Sequence, residues 1–132
     1  MQVVVDFLLE YYVWILVVLI IIGDSFTQNY TKNTVNFITE ELESLKQSLL
    51  DNSKENTDLE ISKIEKKWNE VHEKLAYYIE HDELEKVENN FTACKSLADT
   101  GEFNQAICEL EKMKFVLEHI TDKYSFNWVN IF

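Results

Sequence analysis

Apolar positions recur at helical spacing through the middle of the chain. Between Thr57 and His81 they alternate in steps of three and four residues, which places them on one face of a helix while Lys and Glu fill the other. The apolar face holds Ile61, Ile64, Trp68, Val71, Leu75 and Tyr78. Thr57 followed by Glu60 predicts the helix start, because the hydroxyl and the carboxylate can each accept a backbone N–H that the first turn leaves unpaired. We therefore predict an amphipathic helix around which the other elements pack.

The same periodicity predicts further helices on both sides of this one. The stretch from residue 34 to about residue 52 forms one of them, and the polar residues 51–56 predict a turn that joins it to the central helix. After Ile79 the apolar positions shift by about two residues along the chain. This shift predicts a break at residues 81–83 with Asp82 as the N-cap, and a continuous bent helix is the alternative.

Gly101 separates the last two predicted helices, since glycine favours the position just after a helix end. The fourth apolar series begins at Phe103 and ends at Ile120. Together the patterns predict an all-α fold, in which an N-terminal transmembrane helix precedes a small antiparallel four-helix bundle made of two αα-hairpins. The residues expected in its core include Ile64, Trp68, Val71, Leu75, Phe91, Leu110 and Leu117.

The N-terminal residues are the most apolar part of the chain. Residues 3–22 supply the length of about 20 residues that a helix needs to cross a bilayer. They carry no basic n-region and no small-residue cleavage motif, so we predict an uncleaved anchor at residues 1–23; a cleaved signal and a buried core helix are the alternatives. Asp6 and Glu10 are four residues apart and share one face. They either reach the headgroup level or face a Lys or Arg on a partner's membrane helix.

The rest of the chain divides into three predicted parts. Residues 24–33 are polar and predict a hinge, with Phe26 and Tyr30 suited to the bilayer interface. Residues 34–124 form the bundle domain. Residues 125–132 form an aromatic tail that either caps the bundle or contacts lipid.

Charge changes the picture by excluding one class of partner. The formal net charge is −12 and every basic side chain is Lys. An acidic chain without the guanidinium fork of Arg repels phosphate backbones, so we expect no nucleic-acid binding. The first Lys, Lys32, follows the predicted span, which by itself favours a cytoplasmic bundle.

Two groups of residues are candidates for chemistry. Cys94 and Cys108 lie seven residues on either side of Gly101, so a hairpin places them at the same height and permits a disulfide; two free core cysteines are the alternative. His81 and Glu83 open the third helix and His119 ends the fourth, so hairpin packing brings them together as a metal site or as a hydrogen-bonded cluster. The chain shows no CxxC, zincin, catalytic-triad or phosphate-loop pattern, so we expect neither a cofactor nor an enzymatic activity.

Several short motifs resemble a known family. Trp68 and the segments 78–83, 115–120 and 130–132 resemble an uncharacterised domain-of-unknown-function family of small, single-span helical proteins from spore-forming low-GC Gram-positive bacteria. The resemblance covers nearly the whole chain. It implies an extracytoplasmic helical domain anchored in the cell membrane, often encoded beside YetF-type membrane proteins, and it implies no assigned activity.

These expectations combine into one function. The chain is expected to be a non-enzymatic accessory or interaction subunit of a membrane complex, in contact with the lipid bilayer. Asp6 and Glu10 would bind an integral membrane protein, of YetF type under the resemblance. The alternative is an extracytoplasmic ligand or metal-ion sensor that uses His81, Glu83 and His119.

Overall fold

The computed structural model describes residues 1–124 and contains four α-helices. They are α1 (Gln2–Leu50), α2 (Lys54–Leu75), α3 (His81–Asp99) and α4 (Phe103–Tyr124). No strand occurs among residues 1–124, which confirms the all-α class. The predicted aromatic tail, residues 125–132, lies outside the described residues.

Helix α1 runs without interruption through residues 24–33, so the predicted hinge is wrong. Polar composition alone does not break a helix, and this stretch contains no proline. Two of its hydroxyl groups also donate to carbonyls of the same helix: Thr27 Oγ1 donates to the carbonyl of Asp24 at 2.9 Å, and Thr31 Oγ1 donates to the carbonyl of Thr27 at 2.8 Å. The apolar N-terminal residues and the bundle are therefore joined by one uninterrupted helix.

The two halves of α1 have different surroundings. The N-terminal half is long and apolar enough to cross a membrane, and its large side chains are exposed. The C-terminal half buries one face against the other helices. The residues of that face are Thr31, Thr34, Val35, Ile38, Leu42, Leu45, Ser48 and Leu49.

Helix α2 begins one turn earlier than the sequence pattern predicts. Its N-cap is Ser53, whose hydroxyl accepts the backbone N–H of Asn56 at 3.4 Å. Asn52 adopts a φ of 54°, which reverses the chain between α1 and α2. Thr57, the predicted cap, is buried inside the helix, and its hydroxyl has no hydrogen-bond partner among the described residues.

The break between α2 and α3 also lies earlier than predicted. Helix α2 ends at Leu75 and α3 begins at His81, so residues 76–80 form the turn. The N-cap of α3 is Glu80 rather than Asp82, and its side chain makes no capping hydrogen bond. Gly101, by contrast, lies where it was predicted, after the end of α3, with a φ of 79° that suits glycine.

One continuous core fills the space between the helices. All seven residues that were expected in the core are buried. Helix α1 packs against α2 and α4, and α3 packs against α4, whereas α2 and α3 touch each other much less. Cross-helix ion pairs on the surface join Glu43 to Lys114 at 2.6 Å and Lys46 to Glu111 at 2.9 Å.

Candidate functional site

One end of the bundle lies directly beside the apolar half of α1, and we call it the junction end. It consists of residues 26–31 of α1, the turn 76–80 and the end of α4. Tyr78 and Thr31 share a hydrogen bond of 2.7 Å between their hydroxyl groups. The backbone N–H of Glu80 donates to the hydroxyl of Tyr124 at 3.0 Å. These two bonds hold the turn against α1 on one side and α4 on the other.

The turn 76–80 forms because the apolar pattern changes phase there. The backbone N–H groups of Tyr78 and Ile79 both donate to the carbonyl of Leu75, at 3.1 and 2.9 Å, which tightens the last turn of α2. Ile79 is buried at the corner. Tyr77 is left on the outside, with 90% of its surface exposed.

A hollow of about 350 Å³ opens at the junction end, and we call it the junction hollow. It is lined by Phe26, Thr27, Tyr30, Lys74, Tyr77 and Tyr78. The ammonium of Lys74 lies 5.8 Å from the centre of the Tyr30 ring, within range of a cation–π contact. Burial raises the pKa of Tyr78, so its phenol stays neutral. Aromatic faces beside a single cation suit an amphiphilic ligand, not acid–base chemistry.

The two acids proposed to bind a partner lie far from this hollow, near the start of α1. Asp6 and Glu10 are both exposed, one turn apart. Gln2 Nε2 donates to Asp6 Oδ1 at 3.4 Å. Neither carboxylate forms an ion pair with any residue between 1 and 124. Both are therefore open to a cation on another molecule.

The predicted cluster of His81, Glu83 and His119 assembles only in part. Glu83 is buried, with its side chain 8% exposed, and its Oε1 accepts from Lys123 Nζ at 3.1 Å. His119 Nε2 lies 3.8 Å from the same oxygen, while His81 is exposed and joins neither. Hydrogen bonding to Glu83 raises the pKa of Lys123, so this is an ion pair that ties α3 to α4. Within residues 1–124 no three His, Cys, Asp or Glu side chains form a group that could hold a metal ion.

The two cysteines are free and lie in different surroundings. Cys94 is buried, and Cys108 is exposed. Burial raises the pKa of the Cys94 thiol to about 11. The predicted disulfide is therefore not formed in this structure, since one thiol is buried and the other is exposed. The alternative of two core cysteines holds for Cys94 alone.

A further polar contact that the sequence pattern did not identify links α2 to α3. Trp68 Nε1 donates to Glu88 Oε1 at 3.0 Å. His72 Nε2 lies 3.2 Å from the same carboxylate oxygen, and its ring centre is 5.6 Å from that of Trp68. Glu88 is one acid among 24 acidic residues, so no sequence signal marks it as the partner of Trp68.

Comparison with known proteins places the bundle within a family. Neither the curated proteins nor the solved structures include a match to this chain. The family model for a domain of unknown function, DUF4363, matches residues 25–131. The matched range includes Trp68, Glu88 and the whole junction hollow, and it begins after Asp6 and Glu10. Since the match covers more than half of the chain, the protein belongs to the DUF4363 family.

Proposed function

We propose that the protein is a non-enzymatic accessory subunit of a membrane complex. Residues 1–23 cross the cell membrane once, and the acidic bundle at residues 34–124 acts as an interaction module outside the cytoplasm. The observation that carries this proposal is the continuity of α1, which joins an exposed apolar half to a half that is built into the core. In a subunit of this shape, a partner that binds the N-terminal half of α1 within the membrane is directly connected to the bundle outside it.

The transmembrane placement is supported by length and exposure. At about 1.5 Å per residue, a helix over residues 3–22 is about 30 Å long, which matches the hydrocarbon thickness of a bilayer. The apolar side chains of this segment have no protein neighbours to cover them among residues 1–124. Exposing them to water would be costly, and lipid removes that cost.

The order of contacts supports an antiparallel bundle. Along α1 and α4, Glu43 pairs with Lys114 and the later Lys46 pairs with the earlier Glu111. Contacts that run in opposite order along two helices are those of antiparallel neighbours. The short turns 51–53, 76–80 and 100–102 agree with two αα-hairpins.

The proposed partner is an integral membrane protein that carries a Lys or Arg within its own span. A carboxylate within a membrane is stabilised by a cation on a neighbouring helix, and Asp6 and Glu10 present two carboxylates on one face. The family resemblance makes a YetF-type membrane protein the first candidate to test. The same resemblance is the reason for proposing that the bundle lies on the extracytoplasmic side.

Crosslinking in native membranes, followed by purification of the full chain and identification of bound proteins, tests this function. We expect the double variant Asp6→Leu, Glu10→Leu to insert into the membrane normally, because it is more apolar. We expect it to recover about tenfold less partner, which corresponds to a loss of about 1.4 kcal/mol in the free energy of binding. A matched control is Glu70→Leu, Glu73→Leu, which removes two exposed acids from α2. Equal recovery of the partner with both double variants would refute the proposed role of Asp6 and Glu10.

A further inference from the structure

The junction end exposes aromatic rings that the bundle does not cover. Phe26 is 71% exposed and Tyr77 is 90% exposed, and both line the junction hollow. In water, exposed aromatic surfaces of this size do not gain the favourable free energy that burial would supply. At a membrane interface the same rings are favoured, because an aromatic body can enter the apolar layer while a hydroxyl stays among headgroups.

The continuity of α1 fixes how far these rings lie from the proposed span. Phe26 is four residues beyond Ile22 and Tyr30 is eight, which places them about 6 Å and 12 Å farther along the helix axis. The polar headgroup layer on each side of a bilayer is roughly 5–8 Å thick. An upright α1 therefore places Phe26, on one side of the junction hollow, among the headgroups, and Tyr30 about 4–7 Å beyond them on the aqueous side.

The walls of the hollow are already held in place by the bundle. The Tyr78 hydroxyl is hydrogen-bonded to the Thr31 hydroxyl, and the backbone N–H of Glu80 in the same turn donates to the Tyr124 hydroxyl. The turn is held on both sides, and Tyr77 within it remains exposed, with no hydrogen-bond partner for its hydroxyl among residues 1–124. A preformed site loses less conformational entropy when a ligand binds than a site that must first be ordered.

The lining selects the chemistry of the ligand. Among the described residues, Lys74 is the one charged side chain that lines the hollow, and it offers a single cation to a phosphate. The aromatic faces of Phe26 and Tyr77 suit the glycerol and the first methylene groups of an acyl chain. The chain as a whole carries a net charge of −12, which opposes a surface of anionic lipids.

We propose that the junction hollow binds a zwitterionic phospholipid of the membrane that α1 crosses, with the phosphate at Lys74 and the acyl chain against Phe26 and Tyr77. This inference rests on the transmembrane placement proposed above. With this site, the bundle contacts the bilayer surface at two places, the transmembrane span and the junction hollow.

Spin-label accessibility in phosphatidylcholine vesicles tests the proposal with the full chain. Cys108 is an exposed native cysteine on α4, whereas Cys94 is buried with a pKa raised to about 11, so a thiol-reactive nitroxide labels Cys108 selectively. The label at Cys108 of the native chain serves as the reference for a position exposed to water. Two further labels are placed in a Cys108→Ser background, one at Val17→Cys in the proposed span and one at Ala76→Cys beside Tyr77. Collision rates with oxygen and with a water-soluble nickel complex then report the depth of each label.

We expect the label at position 17 to be in hydrocarbon, the label at Cys108 to be in water, and the label at position 76 to be intermediate, with at least a threefold higher ratio of oxygen to nickel collisions than at Cys108. Adding Phe26→Ser and Tyr77→Ser should return the label at position 76 to the water value. The matched control is Phe115→Ser, which removes a ring that is 70% exposed on α4 and should leave position 76 unchanged. Vesicles of phosphatidylglycerol should give a smaller ratio at position 76.

Each contrary result has a distinct meaning. A label at position 17 that is in water overturns the transmembrane placement and the lipid site with it. A label at position 17 in hydrocarbon with position 76 as accessible to nickel as Cys108 overturns the lipid site alone. If the ratio of oxygen to nickel collisions at position 76 is unchanged by Phe26→Ser and Tyr77→Ser, the lipid site is also overturned. An equal or larger ratio in phosphatidylglycerol overturns the choice of a zwitterionic lipid.

Discussion

Replacing Trp68 tests the packing of the bundle where two consecutive helices touch least. Helices α2 and α3 touch little, and Trp68 of α2 is 5% exposed and donates its indole N–H to Glu88 of α3. Trp68→Ala removes this ring and leaves a cavity, which costs about 3–5 kcal/mol in a protein core. For a domain of about 60–100 residues, 1 kcal/mol corresponds to about 4–8 °C in Tm, so the variant should melt at least about 12 °C lower.

The hydrogen bond from Trp68 to Glu88 contributes separately from the burial of the ring. Trp68→Phe keeps most of the apolar volume and removes the indole N–H, so we expect a loss of about 1–2 kcal/mol. A double-mutant cycle with Glu88→Ala isolates the coupling, expected at about 0.5–1.5 kcal/mol because the Glu88 carboxylate remains partly solvated. Glu85→Ala, an exposed acid one turn away on α3, is the control and should show no coupling to Trp68.

Thermal unfolding of the full chain in a mild detergent, followed by circular dichroism, measures these effects. Trp14→Phe, at a ring that the bundle does not cover, should leave Tm unchanged. A decrease below about 4 °C for Trp68→Ala, equivalent to less than 1 kcal/mol, would refute the assignment of Trp68 to the core.

Three further predictions concern single side chains. Hydrogen bonding to Glu60 raises the pKa of Glu41. Because the pKa is raised, this carboxyl stabilises the fold fully below the pKa that it has in the unfolded chain, and the contribution is lost as the pH rises through the pKa that it has in the folded chain. Glu41→Gln should therefore raise the free energy of unfolding by about 0.5 kcal/mol at pH 7 and by less at pH 4. Thermal melts at both pH values measure this difference. Tyr78→Phe should cost about 0.5–1.5 kcal/mol through loss of its hydroxyl contact to α1, measured by the same melts, and an unchanged Tm would contradict that contact. Alkylation of the folded chain without reductant should modify Cys108 and spare Cys94, as read by peptide mass spectrometry, whereas protection of both thiols would indicate a disulfide.

The helices and their buried faces follow from the sequence because both depend on local spacing. A residue such as Leu110 is apolar at a helical interval from Leu117, and burying that whole face is the only way to remove it from water. The end of α3 is equally local, since Gly101 can adopt a positive φ that other residues avoid. These features required no knowledge of which helix packs against which.

The exact start of α2 is not fixed by local pattern alone. Ser53 and Thr57 lie one turn apart, and either hydroxyl could cap a helix. The structure selects Ser53 because Asn52 completes the chain reversal just before it, which leaves Thr57 inside the helix. The hinge at residues 24–33 was wrong for a related reason: polarity predicts solvent exposure, and a helix can be polar on its exposed face.

The candidate sites depend on tertiary packing, which the sequence did not specify. Glu88 becomes the partner of Trp68 only when the rotation of α3 relative to α2 is known. The junction hollow combines residues of α1 with residues near the end of α2, more than forty positions away in sequence. The cysteines illustrate the same limit, since their equal spacing from Gly101 is visible in the sequence, whereas the burial of Cys94 and the exposure of Cys108 are not.

Hydrogen exchange at residues 24–33, measured on the full chain in a phospholipid bilayer, tests the central claim most directly. The claim is that a single rigid helix joins the proposed span to the bundle. A continuous α1 predicts that these amides are protected to an extent similar to that of residues 35–49. Exchange at the rate of an unstructured peptide would show a flexible linker, and the bundle would then have no fixed position relative to the membrane.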